Sequence, residues 1–212
     1  MKSLFQILIV FSFLFAPVMF CQISSSPKGV HQHDGFFLRF IPGFGYSQIS
    51  LTLPDFEEDF FTFSGGFSFA NTIQIGGAVS ENVIIFGESG GVVVTNPSVK
   101  FLGGEVDDLG DVSILFGGVG PGITYYFMPE NIYLTLTILA NIATVEVDGD
   151  KLADSNIGFG FNFVAGKEWW VGEQWGLGVS VYFRYGSQSD KDVNDLTISG
   201  YSFGALFTAT YN

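Results

Sequence analysis

The stretch WGLGVSVYFRYG, residues 175–186, decides the fold. Trp175, Leu177, Val179, Val181, Phe183 and Tyr185 fall on one side of a period-two alternation. Gly176, Gly178, Ser180, Tyr182, Arg184 and Gly186 fall on the other. Strict alternation of this kind marks a β-strand with two unlike faces. A soluble antiparallel sheet turns Lys, Glu, Gln and Thr to water opposite its apolar face. Here the companion face is dominated by Gly and Ser, residue types that fit the crowded inside of a narrow barrel. The bulky face must then meet lipid.

Outward from this stretch the pattern repeats. Tyr201, Phe203, Ala205, Phe207, Ala209 and Tyr211 oppose Gly200, Ser202, Gly204, Leu206, Thr208 and Thr210. Ile157, Phe159, Phe161 and Phe163 oppose Gly158, Gly160, Asn162 and Val164. Near the start, Phe36, Leu38, Phe40, Pro42, Phe44 and Tyr46 oppose Phe37, Arg39, Ile41, Gly43, Gly45 and Ser47. The periodicity predicts eight strands at 35–51, 64–78, 82–95, 111–127, 132–147, 156–170, 175–188 and 197–211. The third alternates least cleanly, and a bulge or twist is expected at Gly90-Gly91. Strands this long exceed the soluble norm of about five or six residues and suit a tilted bilayer crossing. The connections run short, long, short, long, as in outer-membrane barrels with tight periplasmic turns and longer outer loops. The expected fold is all-β, an eight-stranded antiparallel up-and-down transmembrane β-barrel over residues 35–212.

Composition agrees. The 212 residues include 28 Gly and 25 Phe but only 14% charged residues, against about 25% in ordinary soluble domains. An aromatic content of 17% argues against disorder, and abundant Gly argues against long helical bundles. A net charge of −13 with 8 basic residues argues against a nucleic-acid partner.

Lys2 precedes the apolar run LFQILIVFSFLFAPVMF, the layout of a secretory signal peptide, read here as residues 1–21. Residues 22–34, polar and turn-rich, read as a flexible lead-in. Two alternatives stay open: retention as a membrane anchor, and lipid attachment at Cys21, although Phe20 is bulky for a lipoprotein box.

The runs GKEWWVGEQWGLGVSVYFRYG (166–186) and GPGITYYFMPENIYL (120–134), with the C-terminal strand, resemble small Gram-negative outer-membrane barrels. The nearest group is the eight-stranded one that includes the transmembrane half of OmpA and OmpX. The resemblance spans 35–212 and implies residence in the bacterial outer membrane. It also implies contact with outer-membrane lipid and lipopolysaccharide, with assembly through periplasmic chaperones and the barrel-assembly machinery. Members of the group usually end on an aromatic residue, whereas here Asn212 follows Tyr211.

Charge is distributed unevenly. The loops at 52–63, 96–111, 148–155 and 188–197 hold fourteen of the 21 acidic residues against Lys100, Lys151 and Lys191. Candidate contacts for a cation or another extracellular ligand are Asp55, Glu57, Glu58, Asp59, Asp107, Asp108, Asp148, Asp150 and Asp154. A solvated acidic rim is the simpler account, and DGDKLAD lacks the full spacing of a calcium loop. Within the strands, Arg39, Glu88, Glu168 and Arg184 are expected to point inward and pair, since buried unpaired charge is costly. Tyr125, Phe127, Trp169, Trp175 and Tyr211, near strand ends, are expected to form a periplasmic-side aromatic girdle.

Enzyme chemistry finds little support. The two histidines, His31 and His33, precede the first strand, so no His sits on a strand or outer loop as a general base. HQHD (31–34) could ligate a metal, but on a linker it reads as solvated chain. GVGPG (118–122) lies inside a strand and is no nucleotide fingerprint. No catalytic residue, metal or cofactor is expected. The expected role is structural or recognition work through four acidic surface loops carrying Phe56, Phe60, Phe61 and Phe101. A narrow, porin-like channel is the alternative, and a lipid A-modifying barrel enzyme is third.

Overall fold

Twelve strands and no helix form among the described residues of the computed structural model, which are 31–54, 59–106 and 110–212. In chain order they are β1 (Phe36–Thr52), β2 (Phe61–Ser64), β3 (Phe67–Ser80), β4 (Val83–Thr95), β5 (Ser98–Phe101), β6 (Gly104–Val106), β7 (Val112–Phe127), β8 (Ile132–Val147), β9 (Asp150–Asp154), β10 (Gly158–Trp170), β11 (Trp175–Ser189) and β12 (Thr197–Tyr211). The eight long strands β1, β3, β4, β7, β8, β10, β11 and β12 each pair antiparallel with the next. β12 returns to pair with β1 from Leu38↔Tyr211 to Thr52↔Thr197. The barrel is therefore closed, and no long strand presents a free edge.

Its polarity is inverted relative to a soluble sheet. On β11, Gly176, Gly178, Ser180, Tyr182, Arg184 and Gly186 are buried, while Val181 is 61% exposed. On β12, Phe207 is 60% exposed while Ser202, Thr208 and Thr210 are buried. Such a wall is stable only if lipid covers it, because each large apolar side chain left in water forgoes about 1.5–3 kcal/mol.

Four short strands lie where the periodicity placed plain loops. β2 pairs with the loop-side end of β1, β5 pairs with β2, and β6 with β5, while β9 folds back on β8. The first two long connections therefore form a sheet that leaves the barrel wall. The bend falls at Gly65 and Gly66, with φ of +73° and +71°. At Gly66 an added Cβ would come within 2.6 Å of the Thr95 carbonyl oxygen. Only glycine accepts both that conformation and that approach. The expected strand at 64–78 is thus found as β3, and β2 lies before it in the expected loop 52–63.

The expected bulge at Gly90-Gly91 is also corrected. β3 and β4 stay in register through both glycines, and the irregularity lies by the turn, between Ala78 and Ser80. The glycines hold register through close approach: a Cβ on Gly91 would lie 2.8 Å from the Gly117 Cα of β7.

Candidate functional site

The inward face of the barrel carries two ion pairs that span the lumen between strands that are not neighbours. Arg39 on β1 meets Glu168 on β10, with Nε 3.2 Å from Oε1, and both side chains are fully buried. Arg184 on β11 meets Glu88 on β4, with Nη2 2.9 Å from Oε1. The four inward charges singled out from the alternation are thus brought together as two pairs.

Each carboxylate receives further donors. Tyr126 OH donates to Glu168 Oε2 at 3.0 Å and Thr210 Oγ1 to Oε1 at 2.5 Å. Glu88 accepts from Gln74 Nε2 at 2.9 Å, Thr137 Oγ1 at 2.7 Å and Asn162 Nδ2 at 2.9 Å. Arg39 Nε donates to Thr210 Oγ1 at 3.0 Å, and its Nη2 donates to the Tyr126 hydroxyl. The Arg39 guanidinium carbon also lies 4.0 Å from the centre of the Tyr133 ring. Arg184 Nη1 donates to the Gly90 carbonyl at 2.8 Å. Gln74 joins the two clusters, since its Oε1 accepts from Arg39 Nη1 at 3.4 Å. A buried charge needs this degree of satisfaction to offset its lost hydration. A cavity of about 10 Å³ beside Thr72, Asn162, Tyr182 and Arg184 has room for about one water.

The reading of the strands placed the four charges, Asn162 and Thr210 on the inward face but not the other polar side chains that complete the network. Tyr126, Gln74, Thr135 and Thr137 were open to the same parity: Tyr126 lies between the outward Tyr125 and Phe127 and must point in. His33, expected on a flexible lead-in, is corrected. It is 1% exposed and stacks on Tyr126 with ring centres 3.4 Å apart. Its Nε2 lies 2.9 Å from Asn131 Oδ1, and His31 stacks on Trp170. Residues 31–34 therefore close the short-turn end of the barrel like a stopper. Burial pushes the His33 imidazole below its usual pKa, outweighing Asn212, Asn131 and Glu168, which favour the cation. Asn212 is buried there, while Tyr211 takes the outward position. The leader 1–21, Cys21 and residues 22–30 lie outside the described residues.

The aromatic residues expected as a girdle sit at the short-turn end of the outer wall. Tyr125, Phe127, Trp169 and Trp175 are exposed, and Tyr211 packs edge-on against Trp175 at 5.4 Å. Lys167 leans along this ring and donates to the Glu130 carbonyl.

At the opposite end the loop acids among the described residues do not converge on one site. Asp55, Phe56, Glu57, Glu58, Asp107 and Asp108 lie outside the described residues. Among the described residues no group of three His, Cys, Asp or Glu side chains could hold a metal ion. Asp59 accepts from Thr52 at 2.9 Å, and Asp148 caps the Asp111 amide at 2.9 Å. Asp150 lies in β9 and is exposed. Asp154 is 3.1 Å from Lys151 and 2.8 Å from Lys191. Partial burial raises its pKa, but the two lysines outweigh this and hold it below the usual carboxylate range. Phe60, Phe61 and Phe101 gather on the β2–β5 sheet with ring centres 5.1–5.2 Å apart, above the wall and not within it.

No protein-family model matches the sequence, and no curated protein matches it. Solved structures share the fold. The outer membrane protease OmpT from Escherichia coli aligns with a TM-score of 0.50 at 9% identity, over 84% of this chain and 97% of that one. OprG, an outer membrane protein from Pseudomonas aeruginosa, aligns at 0.49 and 12% identity over 86% and 99%. Neisserial surface protein A aligns at 0.48 and 13% identity over 83% and 96%. At such identity the likeness to OmpT supports the outer-membrane β-barrel fold and nothing finer.

Proposed function

We propose that the chain is exported by cleavage of residues 1–21 and works in the bacterial outer membrane as a non-enzymatic barrel that recognises a partner through its surface hairpins. One observation carries this reading: the lumen is filled, while the sheet beyond it is built out. The two cross-lumen ion pairs and the His33 stopper occupy the space a solute would need. The β2–β5–β6 sheet instead raises Phe60, Phe61 and Phe101 above the wall amid acidic loops. The non-enzymatic reading is supported by the placement of both histidines at the short-turn end, away from those loops. Lipid and lipopolysaccharide surround the wall in this reading, and delivery runs through periplasmic chaperones and the assembly machinery. Loop acids such as Glu57 and Asp108 are proposed contacts for a cationic ligand.

Two measurements test it. Planar-bilayer recording of the purified barrel is expected to give no stable conductance steps; reproducible steps would replace recognition with the porin-like channel. Deleting residues 55–58, or separately 103–109, is expected to leave the barrel folded while abolishing adhesion of whole cells to host or abiotic surfaces. Unchanged adhesion in both would defeat the recognition role.

A further inference from the structure

The outward wall is apolar between its two aromatic rings except at one place. Among the described residues, Asn71 on β3 and Ser89 on β4 are the polar side chains that face out between the short-turn girdle and the loop-side tyrosines Tyr46, Tyr185 and Tyr201. Register fixes the depth. Asn71 sits opposite Pro42, which lies between the outward Phe36 and Tyr46 on β1. Asn71 is exposed, and neither it nor Ser89 makes a side-chain hydrogen bond within the barrel. Its neighbours across the sheet are small: Gly91 opposite Asn71, Gly117 opposite Gly91, Gly87 opposite Pro121. The far wall is built otherwise, with Phe163, Val181, Phe183, Phe203 and Phe207 standing out at comparable depth.

An amide held at mid-depth against hydrocarbon, with no side-chain partner among the described residues, is an unsatisfied polar group in a costly place. Flat small-residue surface beside it lets another backbone come close, which is how polar groups find partners inside membranes. We infer that the β3–β4–β7 wall is the contact face for a second copy of this chain. A second copy is favoured because an Asn amide both donates and accepts. Two copies related by a two-fold axis at Asn71 would satisfy each other, as an isologous interface requires. Lipid tails offer no such partner.

This inference rests on the membrane reading of the outer wall, so the test separates the two. Asn71→Cys and, on the far wall, Val181→Cys are made in the full chain, with Cys21→Ser in both, and the proteins are examined in outer-membrane vesicles. Before oxidation both thiols are expected to be shielded from a membrane-impermeant maleimide, and oxidation with copper–phenanthroline is expected to give a disulfide-linked dimer for Asn71→Cys and none for Val181→Cys. Shielded thiols with no selective cross-link would overturn the dimer and leave the membrane wall standing. Rapid labelling of both thiols in the folded barrel would overturn the membrane wall itself. Asn71→Leu, which matches its neighbours Phe69 and Ile73, should fold normally and weaken self-association in lipid nanodiscs about tenfold, equivalent to about 1.4 kcal/mol. Equal association of Asn71→Leu and the parent would also count against the interface.

Discussion

The lower and upper parts of the same strands obey opposite rules. On β1 the outward residues from Phe36 to Tyr46 are apolar, and the charged Arg39 points in between Phe37 and Ile41. Above Tyr46 the assignment reverses: Gln48, Ser50 and Thr52 face out, and Ile49 and Leu51 are 1% and 2% exposed. β12 behaves alike, with Thr197 and Ser199 outward and Ile198 at 0%. Val112, Ile114 and Val145 complete an apolar lumen at this end, joined by Phe63 from β2. The strand periodicity never changes; the solvent on the outer side does. Where lipid covers the wall, polar groups have no outlet but the lumen. Where the strands rise into water, the lumen becomes an ordinary hydrophobic core. The changeover, marked by Tyr46, Tyr185 and Tyr201, is where the bilayer ends on the loop side.

The comparison breaks most readily in the lower lumen. Arg39→Met leaves Glu168 buried without its counter-charge, and the loss is expected to be about 3–5 kcal/mol. Urea unfolding in lipid vesicles, followed by tryptophan fluorescence, measures it. Adding Glu168→Met removes the stranded charge and should recover most of the loss, since apolar replacement of a whole buried pair is often neutral. A double variant as unstable as the single would show that the lower lumen requires the charges themselves and not merely their mutual satisfaction.

The boundary is sharpened by a lysine placed on each side of it. Val181 lies between the outward Trp175 and Tyr185 on β11, at mid-depth. Val181→Lys is expected to cost about 2–4 kcal/mol, whereas Ser199→Lys, above the tyrosines, should cost about 0–1 kcal/mol. The same unfolding assay reads both. Equal costs would remove the proposed changeover.

Much of this was legible in the alternation. Tyr211, Phe207 and Phe203 announce an outward lipid face, and the eight long strands begin and end within a few residues of the boundaries expected from period two. The upper core was not legible, because Ile49 and Leu51 continue β1 at unbroken period and only their depth makes them inward apolar residues. β2 and β5 were hidden for another reason: FTFS and SVKF are four residues each, too short for periodicity to distinguish from loop. The stopper escaped because nothing local marks His33 as buried. Its partners Tyr126, Asn131 and Trp170 are about a hundred residues away in sequence or further, and only barrel closure brings them together.

That stopper supplies the smallest and most local of the expected effects. In the unfolded chain a histidine takes up its proton near pH 6.5. Packed against Tyr126, His33 holds a proton less readily, because burial disfavours the cation more than Asn212, Asn131 and Glu168 favour it. Protons therefore bind the released stopper better than the seated one. Its stabilisation is complete above pH 6.5 and declines as pH falls toward and through the depressed folded value. The barrel beneath, held by ion pairs and wall contacts, should not respond over the same range. Hydrogen exchange at residues 31–34 is expected to accelerate between pH 7 and pH 5, after correction for intrinsic rates, while β11 amides stay protected. His33→Phe keeps the stack on Tyr126 but has no proton to gain, so its exchange should be flat with pH. A parent stopper as flat as that variant would mean that His33 is seated as readily charged as neutral, and that the end of the barrel is closed by packing alone.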